Sequence, residues 1–300
     1  MAKPFVAVVT GASSGIGQAI AIEFALRGAS LILNCRRNLH GLTDTVSQIQ
    51  ALRESHGDNP LLTLQPDATA FRVVTGVQQD LLAIVSNIDD VDSNRALSDA
   101  AFERHGYVDV WIHSAGADVL TGDARGLNFS EKLAKLWATD VCGTFVLSRM
   151  VADKMLSQPK VDDRLPSMVH IGWDQAEHGM EGDSGQFFSA TKAAIAAFSK
   201  SLAKSVAPHI RVNCIAPGWV QTEWGQKASS AWQHRATGES MLGRWGKAQD
   251  IARVVAAVSF EDGAFINGQT IAVNGGWQGM PPTHPRERAS PSDKRIPMLE

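Results

Sequence analysis

Val6-Ala-Val-Val9 is an uninterrupted apolar run that leads straight into Thr10-Gly-Ala-Ser-Ser-Gly-Ile-Gly17. A short run apolar at every position reads as a strand buried on both faces, as in a parallel sheet covered by helices. Beyond the glycines, Ala19, Ile20, Ile22, Phe24 and Ala25 recur at helical spacing. Strand, glycine turn and helix are the context that a phosphate-cradling loop needs. Gly11 permits the tight turn. Gly15 lets the backbone approach a pyrophosphate, and Gly17 lets helix and strand pack closely. The helix start offers unpaired N–H groups and a positive dipole end. This stretch makes a dinucleotide the expected ligand. With the strands and helices read further along the chain, the expected fold is α/β, a doubly wound parallel sheet of about seven strands with helices on both faces.

The spacing of Thr10-Gly-Ala-Ser-Ser-Gly-Ile-Gly17 resembles the T-G-x3-G-x-G fingerprint of short-chain dehydrogenases/reductases. Four later stretches resemble the same family in the same order: Asp109-Val-Trp-Ile-His-Ser-Ala-Gly116, Ser189-Ala-Thr-Lys192, Arg211-Val-Asn-Cys-Ile-Ala-Pro-Gly218 and Gly268-Gln-Thr-Ile-Ala-Val-Asn-Gly-Gly276. Together they span residues 5 to 277. The resemblance implies one domain over 1–277 and places Ser13, Ser14 and Ile16 with the three glycines at the dinucleotide. It puts Ser114, Ala115 and Gly116 beside the adenosine ribose. It likens Pro217-Gly-Trp-Val-Gln-Thr222 to a turn that holds the nicotinamide carboxamide, so that Pro217, Gly218, Val220 and Thr222 contact cofactor. A mobile substrate lid would fall at 219–246.

Composition narrows the class. At 300 residues, 44% hydrophobic and 20% charged, the chain fits a globular protein, and a net charge of -3 argues against binding nucleic acid through phosphates. The apolar strand begins almost at the N-terminus and no apolar run approaches membrane-spanning length, so a cytoplasmic protein without membrane contact is expected. Cys35, Cys142 and Cys214 lie in apolar stretches without pair spacing. They read as buried free thiols, and no metal site is expected.

The end of the second strand, Ala29–Cys35, bears on the cofactor. An acid about 20 residues past the glycines would bind the ribose 2′-hydroxyl of NAD. The chain has Arg36 and Arg37 there, and no acid from Ser30 to Leu39. Two guanidiniums suit a 2′-phosphate, so NADP is expected in preference to NAD; the plainer alternative is two solvated arginines. Residues 40–80 are longer than one helix needs. Thr43–Arg53 and Ala70–Gln79 look helical, His56–Pro60 breaks the chain, and strand three is placed at Leu81–Ser86 over a rival at Leu61–Gln65. On that placement the resemblance gives Asn87 the adenine-contacting position, where the family often has Asp, with the Ile88 backbone beside it. Ser93–His105 reads as a helix, Val108–His113 as strand four, and Ser130 as the N-cap of a long helix to about Met155. His113 reads as a satisfied strand histidine. Ser167–Gly172 is strand five, Ile210–Ile215 strand six and Thr270–Val273 strand seven. The helices at about 130–155 and 185–206 are where the resemblance implies a homodimer or homotetramer; the small face Ala190, Ala193, Ala194, Ala197 is equally suited to packing on the sheet. Trp219, Trp224, Trp232 and Trp245 crowd the lid and point to an apolar or ring-shaped substrate, with filling of the core beneath the lid as the alternative. The Pro-rich tail 278–300 reads as disordered.

The catalytic positions depart from the family pattern. The family's tyrosine, four residues before its lysine, protonates the substrate oxyanion; here that position is Phe188, and the sole tyrosine is Tyr107. The family's serine after strand five is replaced by Trp173, or by Asp174 if the register shifts. The family's helix asparagine corresponds to Asp140. Lys192 remains. Asp174 and His178, within the loop after strand five, are candidate substitute acids, and Asp140 with Lys192 a candidate relay pair. Three readings follow. One is an NADP-dependent oxidoreductase that acts on a small molecule with a non-tyrosine acid. The second is hydride transfer to a C=C or C=N bond. The third is an inactive NADP-binding sensor or structural subunit.

Overall fold

The computed structural model describes residues 3–55, 72–75, 81–226 and 228–277. The expected break at His56–Pro60, the rival strand at Leu61–Gln65 and the Pro-rich tail lie outside the described residues. In chain order the elements are β1 (Val6–Thr10), α1 (Gly15–Leu26), β2 (Ser30–Cys35), α2 (Leu39–Ser55), β3 (Arg72–Thr75), β4 (Leu81–Val85), α3 (Val91–His105) and β5 (Val110–His113). Then come α4 (Phe129–Leu136), a π-helical segment Trp137–Gly143, α5 (Thr144–Ser157), β6 (Ser167–Ile171), α6 (Gln175–His178), α7 (Gly182–Val206), β7 (Arg211–Pro217), α8 (Glu223–Gln226), α9 (Ser230–Glu239), α10 (Ala248–Ser259) and β8 (Thr270–Val273).

The strands form one sheet in the order β3-β4-β2-β1-β5-β6-β7-β8. Seven are parallel. The eighth, β3, pairs antiparallel with β4 at the edge. This corrects the expected helix over Ala70–Gln79 at Arg72–Thr75. Val73, Val74 and Thr75 are β-branched and favour the pleated edge over a helix. The placement of strand three at Leu81 stands.

Side-chain alternation along the strands divides the core into two layers. Ala7 and Val9 of β1 and Leu31 and Leu33 of β2 face α1, α2 and α10, where Ile20, Phe24, Ile49 and Val255 fill the space. Val6, Val8 and Ile32 face the opposite side, against Leu97 of α3, Leu147 and Val151 of α5 and Leu202 of α7. The order of strands reverses between β1 and β5, and a crevice beyond the strand ends is the usual ligand position in such a sheet.

Two local signals differ from the sequence reading. Asn128, rather than Ser130, caps α4: its side chain accepts from Glu131 N–H, and Glu131 returns a bond to the Asn128 N–H. Both residues are needed for that reciprocal box, which is why it wins over a lone serine. The long helix to Met155 is broken by the π-helical turn. Its extra residue per turn buries Asp140 and Val141 but leaves Cys142 exposed, so Cys142 is not the buried thiol expected. Cys35 and Cys214 are buried, and desolvation pushes both thiols up to about 11.

Candidate active site

The glycine loop is built by close packing. Gly11 has φ +69°, and a Cβ there would lie 2.8 Å from the Cα of Ala115. A Cβ on Gly17 would collide with the carbonyl oxygen of Gly11. Gly15 differs. It has φ +57°, but a side chain there would meet only Thr222 Cγ2 at 3.6 Å. The loop therefore presents backbone at Gly15 to open space. Ser14, extended at the N-cap of α1, makes no side-chain cap bond, so its hydroxyl does not occupy the first-turn N–H groups. This cradle fits a pyrophosphate, and it brings the loop and the Pro217–Thr222 turn to the same crevice. Ser13 joins the loop to α2, because its carbonyl accepts from Asn38 Nδ2 at 3.3 Å. Ile16 packs inward on the first core layer.

The sequence reading missed the part played by Thr10. Its hydroxyl oxygen accepts from both Ser114 N–H (3.1 Å) and Ala115 N–H (3.2 Å), and ties the ends of β1 and β5 together. Thr45 reinforces the loop from behind by donating to the Ala12 carbonyl. At the far side, Arg36 lies 3.5 Å from Asp89, while Arg37 is exposed. Ile88 is buried and its carbonyl accepts from Asn94 Nδ2; Asn87 beside it is half-buried.

At the candidate catalytic positions, Lys192 Nζ lies 2.9 Å from Asp140 Oδ2 and donates to the Ile171 carbonyl at 3.4 Å. The side chain of Asp140 is 2% exposed and that of Lys192 16%. Asp140 Oδ1 accepts from Ala117 N–H at 2.7 Å, and its carboxylate sits under Gly116, whose missing Cβ leaves room for it. The π-helical turn aims Asp140 inward. Phe188 is one helical turn before Lys192 on the same face, and it meets Trp173 edge to face with centroids 6.3 Å apart. Both rings are half-buried. Tyr107 is remote: its hydroxyl donates to the Pro4 carbonyl, at the opposite end of the sheet.

Asp174 and His178 are not brought to this pair. Asp174 is buried, its Oδ2 accepting from Asn274 Nδ2 at 2.9 Å and lying against Gly218. Burial is the main reason its carboxyl titrates above the ordinary range, and nearby Glu239 adds to the effect. His178 is exposed and stacks on Trp277, with centroids 4.2 Å apart. α6 is a single turn that ends at Gly179 (φ +78°), and His178 at its last position faces outward while Gln175 at its first is buried.

The lid tryptophans pack largely on one another. Trp219 lies 5.5 Å from Trp232 and 5.9 Å from Trp245, and Trp245 is buried. The side chain of Trp224 lies outside the described residues. Glu239, which no motif marked, organises the lid: its carboxylate accepts from Trp219 Nε1 (2.7 Å) and Arg235 Nε (2.8 Å). Arg235 also forks to both oxygens of Glu181, just before α7. His113 is buried as expected, stacked on His170 and bridged to it by Ser148 Oγ.

The doubly wound sheet and its glycine cradle define a protein of the nucleotide-binding Rossmann class. A family model described as enoyl-(acyl carrier protein) reductase matches residues 54–278. The chain is 30% identical over 274 residues to the 3-oxoacyl-[acyl-carrier-protein] reductase FabG of Escherichia coli, covering 90% of this chain and 96% of that protein. It is 26% identical over 276 residues to the protein of the same name from Thermotoga maritima, with the same coverages. Its fold matches a short chain dehydrogenase from Burkholderia cenocepacia solved in complex with NADP, with TM-score 0.72, 24% identity, and 91% and 98% of the two chains covered. The chain belongs to the short-chain dehydrogenase/reductase family of oxidoreductases. Among the described residues no helix is long and apolar enough to cross a membrane.

Proposed function

We propose that this protein is an NADP(H)-dependent oxidoreductase in which Lys192, paired with Asp140, takes over the proton transfer that the family assigns to a tyrosine. The observation that carries the reading is the buried 2.9 Å Asp140–Lys192 pair one helical turn beyond Phe188. When bound, the dinucleotide supplies or accepts the hydride. The chain supplies the rest. Lys192 has three N–H donors; Asp140 and the Ile171 carbonyl hold two, and the third is available to a ribose hydroxyl or to a water that protonates substrate. Asp140 cannot drift, because Ala117 N–H holds its other oxygen. A proton given from Nζ returns from solvent. Asp174 serves the lid base and His178 the surface, so neither has a place in this step.

Trp173 and Phe188 give the substrate an apolar wall, which supports a small apolar or ring-containing substrate. Phenylalanine at 188 leaves a carbonyl oxygen without a phenol donor. That lack, with the enoyl reductase description of the matched family, favours a second reading: hydride addition to a C=C bond conjugated to a carbonyl. The exposed face of Ala190, Ala193 and Ala197 on α7 supports a homo-oligomer.

The test is titration with NADPH and NADH by nicotinamide and tryptophan fluorescence, then a screen of carbonyls and enones with the bound cofactor. NADPH-selective binding with enone or carbonyl turnover that Lys192→Met abolishes is the expected result. Selective binding with no turnover of either class would leave a nucleotide-binding protein and overturn the enzymatic reading.

A further inference from the structure

Nothing in the glycine loop or the catalytic pair accounts for Asp89. It stands in the short turn between β4 and α3, two residues beyond Asn87, and its Oδ2 lies 3.5 Å from Arg36 Nη1. The side chains are 29% and 26% exposed, so the pair sits at the rim of the crevice. The turn is held tightly. Asp89 N–H donates to Asn87 Oδ1, Asp90 N–H donates to the Asn87 carbonyl, and Asp90 caps α3 by accepting from Ser93 N–H. Asp90 is therefore committed to its helix, and Asp89 is the acid aimed at Arg36. Arg37 next to it is exposed and has no ion-pair partner among the described residues.

We propose that Asp89 is a specificity-determining residue for the nucleotide: a fixed counter-charge on Arg36 that a ribose 2′-phosphate must displace. The inference rests on the reading that Arg36 and Arg37 hold that phosphate. Two guanidiniums alone would favour a 2′-phosphate strongly. With Asp89 in place, one of them is already partly neutralised, and the carboxylate repels a phosphate seated against it. A 2′-hydroxyl carries no charge and meets no such opposition. Asp89 thus lowers the preference for NADPH over NADH without contacting the glycine cradle. A partly exposed pair of this kind acts weakly, so the effect is a factor of a few and shrinks as salt screens it.

The experiment compares dissociation constants of NADPH and NADH at low salt, by nicotinamide fluorescence, for the unaltered protein, Asp89→Asn, Asp89→Ala and the double variant Arg36→Ala/Arg37→Ala. Both Asp89 variants are expected to tighten NADPH about fivefold and to raise the NADPH-to-NADH preference by a similar factor. The gain is expected to fade in high salt. The double arginine variant is expected to weaken NADPH far more than NADH. If the arginine variant loses NADPH selectively but the Asp89 variants bind NADPH unchanged or more weakly, the counter-charge role is overturned and Asp89 merely steadies Arg36. If the arginine variant weakens both nucleotides equally, the 2′-phosphate reading falls and this inference falls with it. Circular dichroism of each variant separates a binding change from loss of fold.

Discussion

The two halves of the crevice are built from different materials. The nucleotide half, around β1, β2 and β5, is set by backbone. Gly11, Gly15 and Gly17 shape the loop, and Thr10 links strand ends through main-chain N–H groups. The catalytic half, around β6, β7 and α7, is set by side chains: an ion pair, two edge-on aromatic rings and a lid tied down by Glu239. Backbone geometry tolerates only glycine at a few positions, so that half shows little freedom to change. A side-chain site can be rebuilt on the same backbone; here Phe188 and Trp173 meet edge to face beside the Asp140–Lys192 pair.

The largest effect should come from the ion pair. Lys192→Met leaves the Asp140 carboxylate buried with one N–H partner, and removing one member of a buried pair costs about 3–5 kcal/mol. Urea unfolding should show that loss, and adding Asp140→Leu should restore much of it. A single variant as stable as the parent would mean that the pair is solvated and that the catalytic half is not side-chain-built in the sense described. Next comes the contrast within the loop. Gly17→Ala drives a Cβ into the Gly11 carbonyl and should cost ~3 kcal/mol. Gly15→Ala meets only Thr222 Cγ2 at ordinary contact distance and should cost only about 1 kcal/mol for its left-handed backbone, while nucleotide affinity falls at least about tenfold. Equal stability losses for the two would erase the distinction between a packed and a presented glycine.

A smaller, pH-dependent effect comes from the buried histidines behind the site. Burial holds His170 down at about 3, and burial with its neighbour holds His113 well below the usual value. Both folded values are depressed below the unfolded one near 6.5. Their contribution is therefore fully present above pH 6.5 and is lost as pH falls, because the unfolded chain binds protons that the folded chain refuses. Each should contribute a slope of up to about 1.4 kcal/mol per pH unit below 6.5. His170→Gln should flatten the fall in midpoint between pH 6.5 and 5; an unchanged slope would mean that His170 is protonated in the folded protein. The smallest change in stability, under about 1 kcal/mol, is expected for Phe188→Tyr, because a half-buried ring gains one hydroxyl near the crevice. Its activity readout is sharper: carbonyl reduction should rise if the phenol alone is wanting. No rise would show that Trp173 and Asp140 have changed the site as much as Phe188 has.

Much of the fold was legible because its signals are local. The apolar strands and most helix periodicities each follow from a few adjacent residues, whereas the strand expected at Leu81–Ser86 rests on the family's interval to the next strand. The edge strand at Arg72–Thr75 was not legible, since pairing with β4 decides it and local pattern does not. In the site, the family spacing singles out Asp140 and Lys192 as candidates, but not that they meet. Nor was it legible that Asp174 and His178 both find partners away from that pair. A one-turn helix ended by Gly179 sends His178 to the surface while Asp174 turns under Gly218. Glu239 carries no motif because its partners Trp219, Gln175 and Arg235 come from three separate segments.

The sequence by itself determined the doubly wound sheet, the glycine cradle, the arginines at the end of β2 and the phenylalanine before Lys192. Those follow from backbone conformation and residue chemistry at fixed spacing. Only the tertiary structure decided that Asp140 faces Lys192, that the lid tryptophans pack on one another, and that Asp89 meets Arg36. Each of those contacts joins residues 13 or more apart, and their directions depend on helix phase and turn geometry that no short stretch of sequence encodes.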